Sequence, residues 1–284
     1  MADRPHGQKI HWPARQSREA AEREVARLLA AAPAAPAPRF SSESLQGLPE
    51  PVARYFRFAL TPDQPLVRWA RIRQTGTFRA GGFDAPWSPF TAVQHITTQP
   101  PGYIWDANIH MVPLLPVRVR DSYLGGRGAM QGRLAALIPV VDQSGSPELA
   151  AGALHRYLAE AVWWPTTLLP GQGVSWEPVD AKTARATLTD GATSVSLEFQ
   201  FGEQGEIVRA YTPERYRDVK GAGVPTPWTG DYSDYTQREG MRTPMRGEVA
   251  WILPEGRLSY CRLHVPRIEY GWQPIDEETG LRVQ

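Results

Sequence analysis

Two hydrophobic periods divide the chain. Between residues 193 and 201, Val195, Leu197, Phe199 and Phe201 alternate with Ser194, Ser196, Glu198 and Gln200, the period-two pattern of a strand with one dry and one wet face. Runs of the same kind occupy 174–179, 184–188, 206–217, 247–253 and 258–270, with Asp190-Gly191 and Pro254-Glu255-Gly256 as turn signals. From 66 to 134, short extended runs are separated by Gly81-Gly82, Pro100-Pro101-Gly102 and Gly125-Gly126, which is antiparallel β punctuation. The count is about 10–12 strands, enough to wrap a sheet into an incomplete barrel.

The period changes to 3.6 in three places. Over 146–164, Ser146 fits an N-cap, Pro147 the first helical position and Glu148 the positive end of the dipole. Leu149, Ala153 and Trp163 fall on one side and Leu154, Leu158 and Ala161 on the other, so this helix is apolar nearly all round and predicts burial. Its charges are Arg156 and Glu160, spaced i,i+4. Over 48–60, Val52, Tyr55, Phe56, Ala59 and Leu60 form one stripe, predicting a helix docked by its aromatic face. Over 17–32 the stripe is weaker and ends in an Ala/Pro run at 33–38, a semi-rigid linker. These patterns predict an α+β, mainly β fold: a strongly curved antiparallel sheet wrapped over a central buried helix. Residues 1–40 are expected to be an N-terminal helix and linker appended to a single β-rich domain over 41–284. At ~100–200 residues per domain, with all-β domains reaching ~250, one domain of that size is in range.

Alternation also places one charge on the wrong face. In 116–124, Val117, Val119, Asp121 and Tyr123 share a side. A carboxylate there needs a hydrogen-bonding or cationic partner, because burying it bare costs several kcal/mol.

Composition narrows the function classes. The formal net charge of +1 and the pI of about 7.9 argue against a nucleic-acid partner. No run of 18 apolar residues occurs, so no spanning helix is expected. Cys261 is the single cysteine, which excludes an intrachain disulfide. With no apolar stretch after the charged start at 1–12, the expected location is the cytoplasm. Ten tryptophans point to an aromatic core or cavity.

Familiar catalytic spacings are absent. There is no Gly-x-Ser-x-Gly, and the six histidines are isolated, so neither a serine nucleophile nor a His-based metal site is indicated, and no cofactor is expected. Gly126-Arg127-Gly128 does not complete a dinucleotide fingerprint. Asp231-Tyr232-Ser233-Asp234 reads as a solvated turn. What remains is a set of polar groups among aromatics: Trp105, Asp106, Asp121, Arg156, Glu160, Trp176, Glu177, Arg215 and Arg217, with Tyr123, Tyr157 and Trp163 beside them. Such a set serves either as a ligand pocket or as an internal ion-pair network.

The stretches Leu48-Pro-x-Pro-Val-x-Arg-Tyr, Gln74-x-Gly-x-Phe78, Ile104-Trp105-Asp106-Ala107, Asp121-x-Tyr123-x-Gly-Gly126, Arg156-Tyr157-Leu158-Ala159-Glu160-x-x-Trp163-x-Pro165, Trp176-Glu177 and Gly247-Glu248-x-x-Trp251 resemble an uncharacterised bacterial family, domain-of-unknown-function family 6544, over about residues 45–270. Its shape is similar to the lipoprotein-carrier fold, an incomplete barrel over helices with an apolar cavity. The resemblance implies relatives and a fold without an activity. The leading expectation is non-enzymatic binding of an apolar or amphipathic, lipid-like small molecule in an aromatic-lined cavity. The alternatives are an enzyme using Glu160 and Asp121 as acid and base, and a scaffold acting through residues 17–32.

Overall fold

The computed structural model describes residues 12–32, 37–112, 115–134 and 138–273. Three helices, α1 (Trp12–Ala30), α2 (Glu50–Ala59) and α3 (Pro147–Glu160), accompany one sheet. Its strands are β1 (Trp69–Phe78), β2 (Ser88–Thr98), β3 (Pro101–Val112), β4 (Leu115–Leu124), β5 (Arg127–Leu134), β6 (Ile138–Ser144), β7 (Val174–Asp180), β8 (Thr183–Asp190), β9 (Thr193–Phe201), β10 (Ile207–Val219), β11 (Ala222–Arg238), β12 (Met241–Leu253) and β13 (Gly256–Gly271). Their order is β6-β5-β4-β3-β2-β1-β13-β12-β11-β10-β9-β8-β7. Two antiparallel meanders are thus joined by the β1–β13 pair, and β6 and β7 remain as unpaired edges.

Helix α3 fills the space between the two wings, packing on β3, β4 and β5 from one side and on β9, β10 and β11 from the other. The sequence dictates this helix locally. Ser146 Oγ accepts from the Leu149 N–H at 3.1 Å, and Pro147 occupies the first turn. Ala153, Leu154, Tyr157, Leu158 and Ala159 are buried, so the all-round apolar pattern is matched by contacts on both sides. A glycine sets how close the helix comes: a Cβ at Gly128 of β5 would stand 2.5 Å from the Leu149 carbonyl oxygen. The chain beyond Glu160 tightens into 3-10 turns at Ala161–Trp163 and Pro165–Leu168 rather than continuing as α-helix to Trp164, because Pro165 supplies no amide proton.

Helix α2 closes one end of the barrel. Val52, Tyr55, Phe56 and Ala59 are buried to 1% exposure or less, each large side chain contributing about 2 kcal/mol by leaving water. Helix α1 begins five residues before the expected start and lies on the outer face of β2 and β3. There Val25, Leu28 and Leu29 pack against Ile104, Trp69 and Leu124. The linker residues 33–36, the start at 1–11 and the end at 274–284 lie outside the described residues.

Thirteen strands replace the expected ten to twelve because β6 and β11 carry weak sequence signals. Strand β6 contains Pro139, which an edge strand tolerates. Strand β11 contains Asp231-Tyr232-Ser233-Asp234, whose turn-like composition misleads. Asp231 is held by Arg209 Nε and Arg257 Nη2, each at 2.6 Å, and Asp234 by Arg246 Nε at 2.6 Å. Tyr232 between them points inward and donates to the Ala159 carbonyl at 2.8 Å.

Candidate functional site

Register aligns the interior polar groups before any side chain is considered. Gln94 of β2 opposes Trp105 of β3, which opposes Asp121 of β4, so the three share one cross-strand row on the concave face. Helix α3 lowers Arg156 and Glu160 onto that row. Arg156 Nη1 meets Asp121 Oδ2 at 2.6 Å and Arg156 Nε meets Glu160 Oε1 at 2.8 Å. Its guanidinium also lies 4.7 Å over the Trp105 ring and 5.2 Å over Tyr103.

The remaining valences are filled in a chain. Trp105 Nε1 donates to Gln74 Oε1 at 2.7 Å, Gln74 Nε2 to Gln94 Oε1 at 3.0 Å, and Gln94 Nε2 to Glu160 Oε2 at 2.6 Å. Tyr103 donates to Asp121 Oδ2 at 3.2 Å. Burial alone disfavours a charged Arg156, but Glu160 and Asp121 outweigh it and hold the guanidinium well above its ordinary pKa. Burial, reinforced by Asp121, pushes the Tyr103 phenol well above its usual value. Side-chain exposures of 18% for Arg156, 9% for Asp121 and 12% for Glu160 place this triad inside the fold. Both carboxylates are engaged by one cation.

A second cluster lies further along the same concave face, and two β-bulges build it. In β10 the register slips between Thr212 and Arg215. Simple alternation from the inward-facing Ala210 and Thr212 would turn Arg215 outward; the bulge turns it in. In β13, Val249 pairs with Cys261 and Ala250 with Ser259, which leaves Tyr260 as the extra residue. Arg215 Nη1 donates to Tyr260 Oη at 2.9 Å, and its Nε and Nη2 reach the Gly152 carbonyl of α3 at 3.4 and 3.3 Å. Trp228 Nε1 also donates to Tyr260 Oη, at 2.9 Å. The guanidinium lies 5.0 Å from the Trp228 ring centre and 5.5 Å from that of Trp251, and Trp251 stacks on Tyr260 at 5.8 Å. Among the described residues Arg215 has no carboxylate partner. Its charge is felt by His155 of α3, whose pKa is lowered to about 4 by burial first and by Arg215 second.

The other sequence candidates divide. Tyr157 donates to the Thr97 carbonyl at 3.0 Å and Trp163 Nε1 to the Pro244 carbonyl at 2.8 Å, both as core supports. Tyr123 Oη reaches Asp190 Oδ2 at 2.7 Å, bridging the two wings. Trp176 packs on Phe199 and Phe201 and donates to Leu168 O, apart from the triad, while Glu177 is exposed. Asp106 is not inside: it points to the outer face, as alternation from Trp105 requires. There it accepts two bonds of 2.8 Å from Arg120, which also holds Glu24 of α1 at 2.6 Å. Arg217 is half-buried and makes no ion pair among the described residues.

Sequence reasoning missed Tyr103, Gln74, Gln94, Trp228, Trp251 and Tyr260 as members of these clusters. Gln74 and Gln94 could have been found by strand phase, since alternation places both among inward apolar residues. Tyr260 sits at a bulge, where alternation fails. Two shallow depressions, of about 240 Å³ against α2 and about 340 Å³ on the outer face around Arg209 and Ile252, lie outside both clusters. Among the described residues no helix is long and apolar enough to cross a membrane.

This architecture is of the incomplete β-barrel class, one curved antiparallel sheet around a buried helix. The chain belongs to the Family of unknown function (DUF6544), whose family model matches residues 38–263. Among solved structures, a LolA superfamily protein from Nitrosomonas europaea is similar at a TM-score of 0.41 and 11% identity, over 81% of this chain and 96% of that one. A β-barrel-like protein of the domain of unknown function DUF1849 from Brucella abortus aligns at a TM-score of 0.23 and 12% identity, over 72% of this chain and 99% of that one. No curated protein matches the chain.

Proposed function

We propose that this protein is a non-enzymatic binder of a small amphiphile with an anionic head, held at the Arg215–Tyr260 cluster with its apolar part against the interior aromatics. One observation carries the reading: the cluster is rich in donors and poor in acceptors. Tyr260 Oη already accepts two hydrogen bonds, which leaves its own proton to give. Arg215 spends one N–H on Tyr260 and shares Nε and Nη2 with a single carbonyl at 3.3–3.4 Å, leaving N–H groups over. A half-buried cation among tryptophans, with spare donors and no carboxylate, is the complement of a carboxylate or phosphate head. Trp251, Tyr260 and Phe78 continue the aromatic surface inward, with Phe78 6.2 Å from Tyr260 in an edge contact. A cytoplasmic setting belongs to the same proposal.

The triad of Asp121, Arg156 and Glu160 acts in this reading as the structural partner of the site, fixing α3 so that Gly152 meets Arg215. Calorimetric titration with dodecyl phosphate and with dodecanol tests the reading. The phosphate is expected to bind and the neutral alcohol to bind at least roughly tenfold more weakly, because a hydrogen bond to a charged group contributes about 1.5–3 kcal/mol. Equal affinities, or none for either, would overturn it.

A further inference from the structure

We propose that α1 is an acid-released cover: it docks on the outer face of the sheet only while His95 beneath it is neutral, and protonation of that imidazole frees the helix. Strand phase builds the site. On the outer face Arg71 of β1 opposes His95 of β2, His95 opposes Ile104 of β3, and Ile104 opposes Ser122 of β4. One flanking row holds Thr97 and Gly102, and the other Val93, Asp106 and Arg120. Helix α1 is fastened to both flanking rows. Glu24 accepts from Arg120 Nη1 at 2.6 Å in one, and Leu28 lies against Gly102 in the other, where a Cβ would stand 2.8 Å from the leucine Cδ1. Val25, Leu28 and Leu29 pack on Ile104 in the row between. His95, Ile104 and Ser122 are accordingly buried on the outer side of the sheet.

The imidazole is held without a polar partner. Among the described residues neither Nδ1 nor Nε2 of His95 makes a hydrogen bond. An apolar side chain would fill the same space without leaving a buried donor unmade, so it is titration that gives a histidine a use here. The charges that face it are Arg71 beside it on β1, Asp106 of β3 and Arg120 of β4 in the flanking row, and Glu24 from α1; Arg73 stands a row along β1, and Glu269 of β13 lies 3.9 Å from Arg71. Asp106 and Glu24 are both engaged by Arg120, so an imidazolium under the helix would meet two arginines first. Burial, then Arg71, lowers the His95 pKa to about 4, whereas an imidazole freed from the cover titrates near 6.5. The undocked state therefore binds more protons between about pH 6.5 and 4. Docking is at full strength above that window and weakens as pH falls through it, by roughly five- to tenfold per pH unit. Among the described residues the contact to be overcome is small, a short aliphatic stripe and one ion pair. A helix of this length alone is marginal in water, so a freed α1 also unwinds.

Hydrogen exchange of the full chain, followed by mass spectrometry from about pH 7 to about pH 4.5, tests the inference. Dividing by the intrinsic exchange rate at each pH gives the protection of the α1 amides, which reports the docking equilibrium even where the undocked state is rare. In the native chain α1 is expected to be less protected than β2 and β3 at every pH, and its protection to fall roughly five- to tenfold per pH unit between about pH 6 and 4.5. His95→Leu and His95→Gln carry no titrating group, and either one, folded, should hold α1 protection level over that range. Glu24→Gln should lower it at every pH and keep the slope, since the ion pair is lost and the imidazole stays. His155→Gln, on the inner side of the sheet, should also leave the α1 slope in place. A slope that survives without His95, or that vanishes in Glu24→Gln or His155→Gln, overturns the proposal. So does α1 protection that stays level in the native chain, or that equals that of β2 and β3 throughout, since the helix would then open only with the whole molecule.

Discussion

Asp121, Arg156 and Glu160 illustrate how a buried charge is made tolerable. Each carboxylate reaches the guanidinium within 2.8 Å, and every further oxygen contact comes from a neutral donor, Gln94 or Tyr103. Removing one partner leaves an uncompensated charge inside, so Glu160→Gln or Asp121→Asn should each destabilise the fold by about 3–5 kcal/mol in urea unfolding. Replacing all three by Leu, Met and Leu should restore most of that loss, since an apolar trio needs no partner. A triple variant no more stable than the singles would contradict this. Two buried histidines add a pH dependence of known sign. His155 is lowered to about 4 by burial and then by Arg215, and His95 to about 4 by burial and then by Arg71. Unfolded histidine titrates near 6.5, so the unfolded chain binds more protons between about pH 6.5 and 4. Stability is therefore full above that window and is lost as pH falls through it, by on the order of 3 kcal/mol per histidine. Thermal unfolding followed from neutral pH to pH 4 should show that decline, and His155→Gln should remove about half of it.

Helix α3 was the most legible element, because cap, first-turn proline and acidic residue agree with its apolar pattern. Ser146→Ala should cost about 1 kcal/mol through loss of the Leu149 N–H bond. The triad was half legible: strand alternation found Asp121 and helical spacing found Arg156 with Glu160, yet nothing in one sequence says that the three meet. Arg215 and Tyr260 were illegible as a pair, since each sits at a bulge that inverts the alternation on which such readings depend. Asp106 failed for the opposite reason. Adjacent to Trp105 in sequence, it must face the other way in a strand, and its role is to hold Arg120, and through it Glu24 of α1. We propose that residues 1–40 are an appended unit on the β-rich domain. Deleting residues 1–36 should then leave a folded barrel of reduced stability, with Trp69 emission shifted to the red as the α1 contacts with Trp69 and Ile104 are lost. An unfolded product would show that α1 belongs to the domain itself.

At the scale of the molecule, the sheet is a barrel that stops short of closure, and α3 stands where the seam would be. Only side-chain bridges cross that seam among the described residues, Tyr123 to Asp190 at 2.7 Å and Gln143 to Asp218 at 2.6 Å. The sequence patterns carried this architecture in outline, because period-two runs on both sides of one all-round apolar helix leave few alternatives. They did not carry the docking of α2 against the start of β12, since that depends on register across the whole sheet. The account's central claim is that the interior cluster of Arg215 and Tyr260 receives an anionic head. A crystal structure of the protein with dodecyl phosphate tests it most directly. The account predicts a phosphate oxygen about 2.7–2.9 Å from Arg215 Nη and another within hydrogen-bond reach of Tyr260 Oη, with the alkyl chain along Phe78 and Trp251. A phosphate bound elsewhere, or an interior that stays packed at saturating ligand, would contradict it.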